Sequence, residues 1–315
     1  MADARSIILH EYPTSPFAEK IRLALRLKNL AWSRVEIPVI MPKPDLMPLT
    51  GGYRRTPVMQ IGADIFCDTA IILRELEARY PIPTLKLPGH EGLGQMVAGW
   101  TDGRWFQASV AVIFGELADK VPEDFRKDRE SLSGQPFDVE AMRAAAPLMR
   151  DQWRARLMLL EERLQGGKGA GGGLYLIGTK PGLVDVHAYM NVWFMHQNVP
   201  DFLAKCFESA DLTKAWFDRL REFEGQEPET ISSADALRIA KAAAPRLVAA
   251  TTRNETQGFA PGEMVAVCPD DYGKVWVEGE LVHADSQRVI LQRITKEAET
   301  LHVHFPRAGY LVRRL

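Results

Sequence analysis

The chain has 315 residues, 46% of them hydrophobic, with 39 basic and 41 acidic side chains and a formal net charge of -2. That length holds two domains with room for a third, and the near balance of charge argues against general nucleic-acid binding, which needs a basic face. Cys67, Cys206 and Cys268 are far apart and odd in number, so no disulfide framework is expected. No apolar run reaches the about 18 residues of a membrane span, and Ile7 to Leu9 is too short for a secretion signal; a cytoplasmic protein is the expectation.

The first elements are a strand and a helix. Ser6 to His10 is a short, mostly apolar run, and Phe17, Ile21, Leu23, Ala24, Leu25 and Leu27 then recur at helical spacing. Between them lies Tyr12-Pro13-Thr14-Ser15-Pro16-Phe17-Ala18-Glu19-Lys20, which puts Ser15 at the helix N-terminus. Pro16 fits the first helical turn because its missing N–H is not needed there. The first-turn N–H groups, the helix dipole and the Ser15 hydroxyl together favour an anion at this point.

The next informative stretch runs from Tyr53 through Arg54, Arg55, Thr56, Pro57 and Val58 to Gly62, then through Cys67, Asp68 and Thr69. Thr56 should be extended because it precedes a proline. Asp68 and Thr69 open a helical pattern of Ala70, Ile71, Ile72, Leu73, Leu76 and Tyr80 that ends before Pro81, so either residue can cap that helix. Ile82 to Glu91, with Pro83, Pro88 and Gly89, reads as a linker.

From Leu93 to about Ala250 the pattern is helical, with long segments from Leu93 to Gly115 and from Ala141 to Leu164. The glycine-rich run Gly166 to Gly173 reads as a mobile surface loop, since it lacks the Gly-Lys-Ser/Thr ending of a phosphate loop. Asp185 stands three residues after Gly182 and can accept backbone N–H groups at a helix start, which is half of a capping box. His187 and His196 on the same helix read as packing or surface residues. Ser232 to Ala250 reads as an Ala-rich helix and Thr251 to Gln257 as a polar linker.

The last sixty or so residues change period. Met264–Val267, Lys274–Val282, Arg288–Leu291, Leu301–Phe305 and Tyr310–Val312 alternate as strands do, and five short strands suit a small β-barrel. A unit of that size has a marginal core and should dock on the α domain or on a partner subunit. His302 and His304 share one face of their strand, but two histidines without further ligands do not make a metal site, and none is expected.

The Ser-Pro turn, the X-Pro-Val step and the acidic-hydroxyl pair, in this order within the first eighty residues, resemble the glutathione S-transferase family over roughly residues 5 to 225. The resemblance implies an α/β thioredoxin-like domain (1–82), an all-α helical bundle domain (92–250) and, beyond the family pattern, the small β-barrel-like domain (258–315). It implies a dimer formed through the N-terminal domain, and glutathione as co-substrate for addition to a small hydrophobic electrophile. Ser15 is the leading thiolate-stabilising hydroxyl, with Tyr12 and Thr14 as rivals. Ser15, Phe17, Arg55, Thr56, Pro57, Val58, Asp68 and Thr69 are the expected glutathione contacts. Pro57 would be cis, and Val58 would pair its backbone with the cysteinyl part of the tripeptide. The helix opened by Asp68 and Thr69 would take the γ-glutamyl carboxylate. Arg55 is preferred to Arg54 and Lys43 for the glycyl carboxylate, and Arg104 and Trp105 could line the electrophile pocket. Asp68-Thr69 departs from the Glu-Ser or Gln-Ser common in the family.

The chemistry follows from thiol acidity. A free thiol titrates near 8.5, so at neutral pH only a few per cent is thiolate; lowering that value by about two units corresponds to about 2.7 kcal/mol in favour of the anion. The alternative reading is a non-catalytic binding or assembly protein that keeps the fold and uses the β tail for recognition.

Overall fold

The structure is a computed structural model that describes residues 3–167, 173–252 and 256–315. It opens with β1 (Ile7–Glu11), α1 (Pro16–Leu27), β2 (Trp32–Glu36), the single turn α2 (Met47–Thr50), β3 (Val58–Ile61), β4 (Asp64–Cys67) and α3 (Thr69–Arg79). β1 runs parallel to β2 and antiparallel to β3, and β3 turns back on β4 through Gly62 and Ala63. This is the thioredoxin-like layer that the family resemblance implied. The buried runs of β1, β3 and β4 alternate faces, as side chains on a strand must. Ile7, Leu9, Met59, Ile61 and Phe66 enter one core with α1 and α3, whereas Ile8, Val58, Ile65 and Cys67 enter a second core on the opposite face.

The helical domain begins with α4 (Leu93–Trp100) and α5 (Phe106–Glu116), joined through a π-helical turn at Thr101–Trp105 into the one long segment read from the sequence. Such wide turns break the regular helical ladder and are common where a helix serves a site. A 3₁₀ turn (Ala118–Lys120) follows, then α6 (Glu123–Ser133), α7 (Val139–Gly167), α8 (Leu183–Asn198), α9 (Pro200–Phe207) and α10 (Asp211–Arg221). Most of the glycine-rich run lies outside the described residues, as do residues 253–255 of the second linker. Asp185 does the structural work expected of it. Fully buried, its carboxylate accepts N–H groups of Gly182 and Leu176, each at 2.9 Å, and the Trp216 indole at 2.7 Å. Burial nevertheless pushes its pKa up to about 6.

After the two-residue strand β5 (Glu229–Thr230) comes α11 (Ser233–Ala242), capped by the Ser232 hydroxyl. The Ala-rich helix is therefore shorter than its composition suggested. Pro245 cannot continue a helix and disfavours helical geometry in the residue before it, so the pattern stops by Ala243. A short β6 (Thr251–Thr252) leads to β7 (Met264–Pro269), β8 (Val277–Ala284), β9 (Arg288–Thr295), β10 (Glu299–Pro306) and β11 (Tyr310–Arg314). These are the five strands of the alternating pattern.

Their placement is the unexpected part. β10 pairs in parallel with β4, aligning His302 with Asp64 and His304 with Phe66, so the extension continues the N-terminal sheet in the order β11-β7-β8-β9-β10-β4-β3-β1-β2-β5. Its apolar residues Val265, Leu281, Leu291, Val303 and Phe305 share the second core with Ile8, Val58 and Ile65. A marginal sixty-residue core is thus completed by the thioredoxin-like sheet rather than by the α domain. Among the described residues, no helix is long and apolar enough to cross a membrane.

Candidate functional site

Ser15 caps α1 and is only 2% exposed; its Oγ accepts the Ala18 N–H at 3.1 Å. That bond uses a lone pair and leaves the hydroxyl proton free to be donated, so capping and anion stabilisation are compatible roles for one side chain. Thr14 beside it is exposed, and Tyr12 is half-buried. Phe17 packs edge-to-face on Phe106 of α5 at 4.8 Å between ring centroids. One turn further along α1, buried Lys20 reaches across the domain boundary to Asp102 in the π-helical turn at 2.5 Å. No cysteine stands in the turn, and burial holds the Cys67 thiol well above its ordinary pKa, so it is a poor nucleophile.

The Thr56–Pro57 peptide is cis. Val58, expected to pair with the tripeptide, lies between His10 of β1 and Cys67 of β4, and strands occupy both of its flanks. The backbone available for pairing belongs instead to Thr56, whose N–H and C=O make no hydrogen bond among the described residues. Spacing along the chain could not separate these positions; strand register does.

The cations also divide differently from expectation. Arg54 pairs with Asp128 of α6. Arg55, preferred from its nearness to Pro57, is engaged by the extension: it bonds the Asp271 carboxylate and the Tyr272 carbonyl, and its guanidinium lies 3.9 Å from the centre of the Tyr272 ring. Lys43 makes no ion pair among the described residues. Its Nζ lies 3.3 Å from Thr56 Oγ1 and 3.4 Å from the Arg54 carbonyl, and 5.7 Å from the centre of the Tyr12 ring. Burial, then the neighbouring Arg129 and Arg54, lower its pKa to about 8. Asp128 opposes that shift from beyond ion-pair distance, and an ammonium with no ion pair among the described residues is a better seat for a ligand carboxylate than the paired Arg54 or Arg55.

Asp68 caps α3 through the Ala70 N–H at 2.8 Å, with a backbone φ of 101°. That angle is costly for a residue other than glycine, and such outliers gather at sites where the surrounding structure holds them. Burial raises the Asp68 pKa. Its other oxygen accepts a hydrogen bond from the Tyr310 hydroxyl of β11 at 3.0 Å, and that hydroxyl also approaches the Tyr53 hydroxyl at 3.4 Å. Thr69 is buried beside it.

Two residues offered for the electrophile wall do not form one. Trp105 is 0% exposed, packed between Trp100 at 5.0 Å and Trp153 at 5.8 Å, and belongs to the core of the helical domain; Arg104 points to solvent. Asp102 and Phe106 face α1 in their stead. The remaining residues that sequence reasoning missed are Asp271, Tyr272 and Tyr310. All come from the extension, more than 200 positions from the turn they cover, and no local signal marks them. Burial pushes the Tyr272 hydroxyl up to about 12, with Asp271 and Asp68 adding to the effect. Gly273 in the same loop sits so near α6 that a Cβ there would stand 2.9 Å from Leu132.

A model of the N-terminal domain of glutathione S-transferases matches residues 9–85. Among solved structures, a GST-like protein from Pseudomonas syringae is 35% identical, aligned over 100% of both chains with a TM-score of 0.80. FzlA from C. crescentus is 22% identical over 69% of this chain and 88% of its own, with a TM-score of 0.51. Glutathione transferase GSTFuA3 from Phanerochaete chrysosporium is 17% identical over 71% and 99%, with a TM-score of 0.56. The last two likenesses are of fold alone. No curated protein matches the chain.

Proposed function

The chain belongs to the glutathione S-transferase-like family, and on that premise we propose that it binds glutathione at the N-termini of α1 and α3, stabilises the thiolate through Ser15, and adds it to a small hydrophobic electrophile. The observation that carries this reading is buried Lys43, which among the described residues makes no ion pair and is held against Thr56, whose backbone makes no hydrogen bond among them either. In this arrangement Lys43 takes the glycyl carboxylate and Thr56 pairs with the cysteinyl residue. The first-turn N–H groups after Asp68 and Thr69 meet the γ-glutamyl carboxylate. The Ser15 hydroxyl donates to the sulfur, and the α1 dipole adds to the preference for negative charge.

Arg55 enters only if Asp271 lets it go. In the proposed cycle the loop between β7 and β8 shifts away from Arg55, or the ligand binds beneath it using Lys43 alone. The electrophile approaches the Ser15 turn beside the packed Phe17–Phe106 pair. We place the protein in the cytoplasm as a homodimer; because β10 has taken the edge of β4, the shared surface lies away from that edge. Titration calorimetry with S-methylglutathione, which lacks an ionisable thiol, tests the binding step. Saturable one-to-one binding is expected, and no heat at millimolar ligand would overturn the proposal.

A further inference from the structure

The seam between β4 and β10 brings together side chains that neither segment can assemble alone. His302 and His304 project from one face of β10, and the parallel register sets Asp64 of β4 directly beside His302. All three are more than nine-tenths buried, and their nitrogen and carboxylate donors lie within 4.8 Å of one another. His304 Nε2 stands 2.8 Å from Asp64 Oδ1, and His302 Nδ1 stands 3.9 Å from the same oxygen, too far for a hydrogen bond. Among the described residues, His302 Nδ1 is buried without a hydrogen-bond partner.

One carboxylate and two imidazoles gathered within 4.8 Å are donor types that metal sites use. Zinc-class ions bind imidazole nitrogen and carboxylate oxygen at about 2.0–2.2 Å, which puts tetrahedral ligands about 3.3 Å apart. The two distances to Asp64 Oδ1, 2.8 Å in the His304 hydrogen bond and 3.9 Å to His302, straddle that value, and all three donors lie within 4.8 Å of one another, so a bound ion would take the place of the hydrogen-bonding proton and draw the side chains together. The outer contacts suit the purpose as well. Asp64 Oδ2 accepts the Arg246 backbone N–H at 2.9 Å, turning Oδ1 toward the histidines, and the His304 ring is stacked on Phe66 at 4.4 Å. Metal ligands are held in place by partners of this kind. A nitrogen-rich set with one carboxylate and no thiolate favours zinc, cobalt or nickel over calcium or magnesium.

We propose that Asp64, His302 and His304 form a binding site for a divalent transition metal of the zinc class, which fastens the C-terminal extension to the N-terminal sheet. The sequence left the two histidines without further ligands; the β4–β10 register supplies the third. With three protein ligands, a water completes the tetrahedron. Asp64 and His304 are 240 positions apart, so the ion cross-links distant parts of the chain and favours the folded state by mass action.

The test uses the full-length protein freed of metal with a chelator and titrated with Co²⁺ alone. One equivalent should bind with visible ligand-field bands and no thiolate charge transfer, Zn²⁺ should displace it, and Zn²⁺ should raise the thermal midpoint by a few degrees. His302→Gln, checked for native circular dichroism, should weaken Co²⁺ binding at least tenfold. Asp64→Asn serves if that variant does not fold. Substoichiometric Co²⁺ binding by the unmodified protein, a thiolate spectrum, or an affinity and spectrum unchanged in a folded His302→Gln or Asp64→Asn variant would each overturn the proposal.

Discussion

The N-termini of α1 and α3 begin from the same local chemistry and end in different states. Each has an oxygen-bearing cap that accepts a first-turn N–H: Ser15 from Ala18 and Asp68 from Ala70. Ser15 keeps its hydroxyl proton for a ligand. Asp68 has its second oxygen taken by Tyr310, and the extension also holds neighbouring Arg55 through Asp271 and Tyr272. The α1 terminus is thus ruled by its own turn, the α3 terminus by strands more than 200 residues later. Caps can be read from adjacent residues; whether a cap is open to a ligand depends on what the rest of the chain lays over it.

If the α1 terminus is the chemical half of the site, Ser15→Ala should give the largest effect of the series. Removing a hydrogen bond to the developing thiolate worth about 1.4 to 2.7 kcal/mol lowers turnover tenfold to a hundredfold. The glutathione thiol pKa, followed by thiolate absorbance, should rise in the complex. S-methylglutathione affinity should change little, because that ligand has no proton to lose. Unchanged turnover together with an unchanged thiol pKa would move the role to Tyr12 or Thr14 and erase the contrast between the two termini.

Lys43 tests the ground between them. Its pKa is lowered to about 8, so at neutral pH it is mostly charged and loses its charge as pH rises through that value. A bound carboxylate favours the charged form. S-methylglutathione affinity should therefore be highest below about pH 8 and fall as pH rises through it. Lys43→Met should bind about tenfold more weakly at pH 7 and with little dependence on pH. A flat profile in the unmodified protein would assign the glycyl carboxylate to another cation.

These expectations mark how far the sequence could be read. Strand β1, helix α1, the cap at Ser15 and the helix opened by Asp68 depend on residues close in the chain, and the structure places them as expected; the cis Pro57 that the family resemblance implied is present too. Asp185 is legible for the same reason. Other site residues need information of longer range. The register of β3 sets Val58 between two strands, and the loop after β7 engages Arg55. The family resemblance puts Trp105 on a helix facing the Ser15 turn, but core and pocket residues share its spacing, and its stacking between two other tryptophans places it in the core. The five terminal strands were evident from their alternation. Their union with β4 was not, because period-2 patterning shows that a strand has a buried face without naming the strand beside it.

Asp271→Ala addresses the closed half directly. The Asp271 carboxylate is 55% exposed, and a pair with one partner so open contributes at most about 1 kcal/mol. Freeing Arg55 should therefore strengthen S-methylglutathione binding by about fivefold or less, measured by calorimetry at low salt, where the contrast with the unmodified protein is greatest. Equal affinities would mean that the ligand uses Lys43 alone and that Arg55 is a tether for the extension.

Tyr310→Phe should have the smallest effect and discriminates most finely. The substitution keeps the ring against Phe305 and removes only the hydroxyl that donates to Asp68. Asp68 then loses a hydrogen bond that favours its charged form, and its already raised pKa moves further upward. A carboxyl that is more readily neutral repels the γ-glutamyl carboxylate less, and no tyrosine hydroxyl remains to hold its outer oxygen. Both changes point to binding tighter by about twofold to threefold, well under 1 kcal/mol. Weaker binding would reverse the sense of the contact: Tyr310 would then be part of the ligand site, and the extension would complete the α3 terminus rather than close it. The two outcomes differ in sign, so even a small shift in the calorimetric dissociation constant decides between them.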